Sequence, residues 1–121
     1  MWMNPQCWGV ISRLSTTEQA EKSMQTVYEK LNTPWGIEVM GPCYKEHYFD
    51  GALMKLFNPT TKENGGIFCQ PQGWAILAES LLGHGGRAFE YFTESCPAAY
   101  NDRAELREVE PLRPQPVHRG S

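Results

Sequence analysis

Residues 33–66 set the tightest limit on what this chain can fold into. Pro34, Gly36, Pro42, Gly51, Pro59, Gly65 and Gly66 interrupt the stretch so often that no helical apolar period survives across it. A connection of that length without regular structure is unusual inside a compact small domain. It points to a functional loop, or to one sector of a larger body. Within it, Ile37, Glu38, Val39 and Met40 have the composition of a short strand.

The flanks read as helices. Ser15-Thr16-Thr17-Glu18 has the form of a capping box, with a Ser15 hydroxyl at the N-cap and Glu18 reaching back. Behind it Ala20, Met24, Val27, Tyr28 and Leu31 recur at helical spacing, Glu18 and Lys22 form an i,i+4 pair, and Asn32-Thr33-Pro34 stops the helix. A second helix is predicted over residues 73–82. Trp74, Leu77, Ala78 and Leu81 share its face, which Ile76 and Leu82 widen into the pattern of a well-buried helix. Gly83-His84-Gly85-Gly86 ends it, with glycine in the left-handed cap. A third helix, over residues 87–95, groups Ala88, Tyr91 and Phe92 and closes at Pro97, so the last two helices form an αα-hairpin. Residues 1–14 hold a short apolar patch of Trp8, Val10, Ile11 and Leu14 but no complete element. The class is mainly α.

Charge and cysteine usage exclude several functions. The net charge of −3 comes with no basic stripe, which argues against nucleic acid as a partner. Apolar runs are too short for a membrane span, and the first residues lack the pattern of a signal peptide. Cys7, Cys43, Cys69 and Cys96 show neither a C-x-x-C pair nor metal-ligand spacing; free, mostly buried thiols and a cytoplasmic location are expected, with no metal. His47, His84 and His118 lack a partner pattern and read as surface residues.

One stretch is not generic. Phe57-Asn58-Pro59-Thr60-Thr61-Lys62-Glu63-Asn64-Gly65-Gly66-Ile67-Phe68-Cys69 resembles the T-K-E-N-G-G-I-F segment of glycoside hydrolase family 94, the cellobiose, cellodextrin and chitobiose phosphorylases. Asn4-Pro5-Gln6-Cys7-Trp8-Gly9-Val10-Ile11-Ser12 is similar to that family's N-x-Q-x-W-x-V-I-S. Gly73-Trp74-Ala75-Ile76-Leu77-Ala78-Glu79, Arg87-Ala88-Phe89-Glu90-Tyr91 and Pro97-Ala98-Ala99-Tyr100-Asn101-Asp102 resemble further blocks in the same order. Related cyclic glucan synthases depart after E-N-G-G, so Ile67-Phe68-Cys69 favours the phosphorylases. The resemblance implies an (α/α)6 toroid. This chain would form a partial sector of it, with helices joined by a long Gly/Pro-rich active-site loop.

The resemblance also implies a reaction: transfer of a glucosyl (or N-acetylglucosaminyl) unit from a β-linked disaccharide or oligosaccharide to inorganic phosphate, with inversion, giving α-sugar-1-phosphate. Inverting hydrolysis needs an acid for the leaving oxygen and a base for water. Phosphate is already an anionic nucleophile, so the acid suffices and a cradle of donors replaces the base. The family's general acid is an Asp in a D-W-N-D type segment. No such segment occurs here, Asp50 and Asp102 lie in other contexts, and the chain is expected to be inactive alone. Lys62 and Glu63 match family positions that contact the acceptor sugar in the +1 site, where a charged donor beside a charged acceptor suits hydroxyls that do both. Gln70 stands where several members carry a phosphate-binding His; its amide donates but carries no charge. The alternative at Lys62 and Glu63 is a solvated charge pair, and at Gln70 an ordinary polar loop residue. Tyr44, Tyr48 and Phe57 either line a sugar path or pack a core. Glu105, Arg107 and Glu110 precede an active-site segment in the family and receive no role.

No cofactor is expected beyond phosphate as co-substrate, and family members are usually homodimers. The resemblance covers residues 1–111. Residues 112–121 depart from it, but read one nucleotide out of register, with a permitted choice of codons, they give Y-A-H-S-Q-F-T-E-G, which is similar to the family's continuation. A frameshifted tail is the expectation, and the gene's DNA beyond the stop codon tests it. Against the fragment of a phosphorylase stands a non-catalytic helical binding or scaffolding domain, which should unfold cooperatively on its own. An inverting hydrolase of related fold would need a water-activating carboxylate, for which the sequence offers no candidate.

Overall fold

A computed structural model describes residues 1–45 and 57–100. Within them the order is α1 (Met3–Ile11), α2 (Thr17–Leu31), β1 (Asn32–Thr33), β2 (Gly36–Ile37), α3 (Cys69–Leu81) and α4 (Gly85–Ser95). His47, Tyr48, Asp50, Asp102, Glu105, Arg107, Glu110 and His118, and residues 112–121, lie outside the described residues.

The apolar patch near the start is a full helix, α1, contrary to the expectation that no element is complete there. It has no charged residue, and its N-cap, Trp2, makes no side-chain cap bond. A helix without polar contrast leaves no periodic signal. Pro5 sits in its first turn, where a missing N–H costs nothing.

The capping box of α2 is shifted by one residue from its predicted place. Thr16 Oγ1 accepts from Gln19 N at 3.2 Å, and Gln19 Oε1 accepts from Thr16 N at 3.0 Å. Ser15 is otherwise engaged: its N–H donates to Gly9 O at 3.2 Å. Its Oγ lies where a side chain on residue 9 would stand, 2.8 Å from that Cβ position. The predicted face of α2 holds, with Ala20, Met24, Val27 and Leu31 buried.

The strand expected at residues 37–40 is present only in part. Gly36–Ile37 pairs antiparallel with Asn32–Thr33 around a Pro34-Trp35 turn. Beyond Ile37 the chain instead joins other elements: Met3 N donates to Val39 O at 3.0 Å, Val39 N to Gly66 O at 2.9 Å, and Trp2 bridges Met40. Ile37 finds a side-chain partner. Buried Gln72 accepts from Ile37 N and donates to Ile37 O, both at 2.8 Å, so one amide acts as a strand neighbour.

Helix α3 begins four residues before its predicted start, because Pro71 in the first turn is no obstacle there. It ends as predicted. Gly83 has φ +82°, its N–H donates to Ser80 O, and His84 N donates to Glu79 O at 2.9 Å, a Schellman closure. Helix α4 starts at Gly85, two residues early.

Helices α1 and α2 form one hairpin and α3 and α4 a second; α1 packs on α3. The second layer, α2 with α4, is linked by side chains. Arg87 lies 4.3 Å from the centroid of the Tyr28 ring and donates to Gln25 Oε1 at 2.9 Å, and Tyr28 and Tyr91 rings are 6.2 Å apart. Met3, Cys7, Val10, Met24, Val27, Leu31, Ile37, Ala75, Ala78 and Tyr91 share one core. Two predicted faces need correction. Leu77 is 45% and Leu81 50% exposed, and α3 instead buries Gln72, Ala75, Ala78 and Glu79. On α4, Ala88 and Tyr91 are buried but Phe92 is exposed.

Candidate functional site

The T-K-E-N-G-G stretch is a tight turn held from within by Asn64. This side chain is fully buried. Its Oδ1 accepts from Tyr44 N at 2.7 Å, and its Nδ2 donates to Tyr44 O at 3.0 Å and Phe57 O at 3.1 Å. The backbone closes around it: Thr60 N donates to Asn64 O at 2.8 Å, Asn64 N to Thr61 O at 3.0 Å and Gly66 N to Lys62 O at 2.8 Å. Gly65 has φ +90°, and a Cβ there would stand 3.1 Å from the Cys43 Cβ, so no other residue fits without displacement.

Lys62 and Glu63 form the tip of this turn, both exposed. The Lys62 ammonium lies 5.0 Å from the centroid of the half-buried Phe57 ring, a cation–π contact worth about 0.5–1 kcal/mol at an exposed position. Thr60 and Lys62 have φ of +64° and +47°. Each non-glycine residue in that region costs roughly 1–2 kcal/mol. Gln70 stands apart, exposed in the first turn of α3 and separated from the tip by the buried run Asn64, Gly65, Gly66 and Ile67.

A cavity of about 500 Å³ lies beside the turn, lined by Met1, Trp2, Met40, Pro42, Cys43, Tyr44 and Lys45. Tyr44, which Asn64 clasps, joins it to the turn; Lys62, Glu63 and Gln70 do not line it. Among the described residues no cluster of His, Cys, Asp and Glu could hold a metal ion, and no helix is long and apolar enough to cross a membrane.

A second polar centre escaped the sequence reading. Glu79 is fully buried, and its carboxylate meets His84 Nδ1 at 2.6 Å and Arg87 at 3.5 Å. The other imidazole nitrogen of His84 reaches Glu21 at 3.2 Å. His84 is therefore an inter-helix link rather than the unpartnered surface residue expected. Burial, reinforced by the Glu79 charge, pushes the Cys7 thiol up to about 12 and raises Tyr91 as well. Cys7 is thus an inert buried thiol; Cys43, Cys69 and Cys96 are half-buried. Asn64, Gln72 and Glu79 share the reason they were missed: a buried polar side chain is legible only with its partners, which lie far along the chain. Asn64 lies inside the T-K-E-N-G-G segment.

Comparison with known proteins gives the family. The model of the glycosyl hydrolase 94 superfamily catalytic domain matches residues 1–116. An N,N'-diacetylchitobiose phosphorylase of Vibrio furnissii is 36% identical over 102 residues, 84% of this chain and 13% of the relative. A solabiose phosphorylase of Paenibacillus borealis is 29% identical over 111 residues, 92% of this chain and 14% of the relative. A cellobionic acid phosphorylase of Neurospora crassa is 41% identical over 68 residues, 56% of this chain and 9% of the relative. The chain spans about 13% of the length of the first of these relatives. With its two adjacent helical hairpins, it belongs to the glycosyl hydrolase 94 superfamily as part of the catalytic domain, an (α/α)6 toroid.

Proposed function

We propose that this chain supplies the acceptor-sugar sector of an inverting disaccharide phosphorylase. The observation that carries the reading is the Asn64-clasped turn, which spends two left-handed non-glycine residues to present Lys62 and Glu63 at its tip. Strain of that kind is retained where a side chain must be held in one direction. A fixed cation and a fixed carboxylate side by side discriminate sugar hydroxyls, which donate and accept at once. Gln70 serves phosphate by amide donation, helped by the positive end of α3. The glycosyl unit passes to phosphate with inversion, and the acid that protonates the leaving oxygen lies outside this sequence. The chain alone is then inactive, requires no cofactor beyond phosphate, and works in the cytoplasm as part of a dimeric enzyme. Its tail, residues 112–121, is a frameshift product on this reading.

A chimera tests this: the Vibrio furnissii enzyme with its matched 102 residues exchanged for those of this chain. In the synthetic direction Lys62→Ala should raise KM for the acceptor at least tenfold and leave KM for the sugar phosphate within about twofold, an effect of about 1.4 kcal/mol. Gln70→Ala should do the reverse in phosphorolysis, raising KM for phosphate. Acceptor KM unchanged by Lys62→Ala contradicts the assignment.

A further inference from the structure

The amide of Gln72 ties the start of α3 to a segment far away in sequence. The side chain is buried in the first turn of α3. Its Oε1 accepts from Ile37 N at 2.8 Å, and its Nε2 donates to Ile37 O at 2.8 Å and to Phe68 O at 3.0 Å. The strand pair leaves Ile37 available for this. It is bonded through Glu38 N, which donates to Leu31 O at 2.9 Å, so the N–H and C=O of Ile37 face α3 instead. Gly36 gives the amide room: a Cβ there would stand 3.2 Å from Gln72 Oε1. A buried amide with both ends engaged by backbone holds one element against another in a single register.

The elements so joined carry the two halves of the candidate site. Phe68 is the N-cap of α3, and Gln70 lies two residues beyond it. On the other side Ile37 leads to Val39, whose N–H donates to Gly66 O at 2.9 Å, at the exit of the turn that presents Lys62 and Glu63. Residues 37–39 are therefore a common rail, held by the turn through Val39 and by α3 through Gln72. The two grips differ. The turn has a further anchor in the three bonds of Asn64 to Tyr44 and Phe57. Helix α3 has no side-chain cap bond at Phe68, and Gln72 supplies a tie at that end. We propose that Gln72 is a positioning residue for phosphate, setting where Gln70 stands relative to the acceptor-binding tip by clamping the start of α3 to Ile37. The proposal rests on the reading of Gln70 as a phosphate donor. Inverting attack needs the phosphate behind the anomeric carbon, and a misplacement of about 1 Å can cost roughly 100-fold in rate.

The test is Gln72→Met, which keeps the length of the side chain and removes the amide, made in the chimera with the Vibrio furnissii enzyme, alone and combined with Gln70→Ala. Gln72→Met should raise KM for phosphate at least fivefold. It should leave KM for the acceptor in the synthetic direction within about twofold, because Asn64 still holds the turn. In the Gln70→Ala background the same substitution should change phosphate KM less than twofold, since its effect passes through Gln70. Gln72→Asn, with the amide one methylene short, should show the same selectivity at smaller amplitude, and it carries the test if the Met variant does not fold. Both KM values raised alike, or a lower thermal midpoint with both unchanged, would make Gln72 an ordinary structural residue and overturn the proposal. Full additivity of Gln72→Met with Gln70→Ala overturns it too. Phosphate KM unmoved by Gln70→Ala alone is a separate failure: the phosphate reading of Gln70 then falls, and this proposal with it.

Discussion

The α1–α3 layer and the α2–α4 layer come from the same pair of hairpins and obey different rules. Helix α2 carries Glu18, Glu21, Lys22, Glu29 and Lys30 opposite its buried stripe, and α4 carries Arg87, Glu90 and Glu94. These helices have a side for water and a side for protein. Helix α1 has no charge and α3 only the buried Glu79. The same contrast governs the links between elements. The α2–α4 layer is joined by long side chains, Arg87 over Tyr28 and Tyr28 OH to Glu90 at 3.2 Å. The α1–α3 layer is joined by direct packing around Ala75, Ala78 and Cys7. Both layers leave apolar side chains open, Leu77 and Leu81 on α3 and Phe89 and Phe92 on α4.

Substitutions sharpen the contrast, and the largest effect belongs where the layers meet. Tyr91 is fully buried in the shared core, and Tyr91→Ala should cost about 3–5 kcal/mol, removing most of the helical circular dichroism of the isolated chain. Leu77→Ala, at a half-exposed position, should leave that signal nearly intact. Asn64→Ala strands the partners of three partly buried hydrogen bonds and should cost roughly 2–4 kcal/mol. Its damage should be confined to the turn, seen as faster amide exchange at Tyr44 and Gly66 with the helices unchanged. Thr16→Ala removes the cap of α2 and should cost about 1 kcal/mol, read from the urea midpoint. Cap loss should be felt in the α2–α4 layer and leave exchange in α3 unaltered.

The smallest effect is a pH dependence in the charged layer. Burial pushes the Glu94 carboxyl up to about 7, against the pull of the Asn32 hydrogen bond at 3.2 Å, with Glu90 adding to the rise. The folded state therefore holds this proton more tightly than the unfolded chain. Stability from this group is full below the unfolded value near 4.5 and is lost as pH rises through about 7. Glu94→Gln should raise the thermal midpoint by a few degrees at pH 8 and change it little at pH 4; an equal shift at both would contradict the burial argument.

How much was legible follows the same division. Helix α2 could be read to its last residue, because charges alternate with Ala20, Met24, Val27 and Leu31. Helix α1 was invisible for the opposite reason, having no polar residue pattern to define a face. The face of α3 was misplaced: Leu77 and Leu81 are 45% and 50% exposed, and the helix buries Gln72, Ala75, Ala78 and Glu79, because a buried polar residue is invisible to an apolar period. At the candidate site, Lys62, Glu63 and Gln70 were legible only through the resemblance. The parts that hold the turn, Asn64 against Tyr44 and Phe57, depend on contacts across 7 to 20 residues that no local pattern encodes.

Amide hydrogen exchange, followed helix by helix in the isolated chain and in the chimera, addresses the difference between the layers most directly. The account predicts that α3 and α1 gain at least tenfold protection inside the chimera while the water-facing amides of α2 change little. Equal protection of α3 in both settings would contradict it, because the uncharged layer would then be as stable alone as inside the larger enzyme.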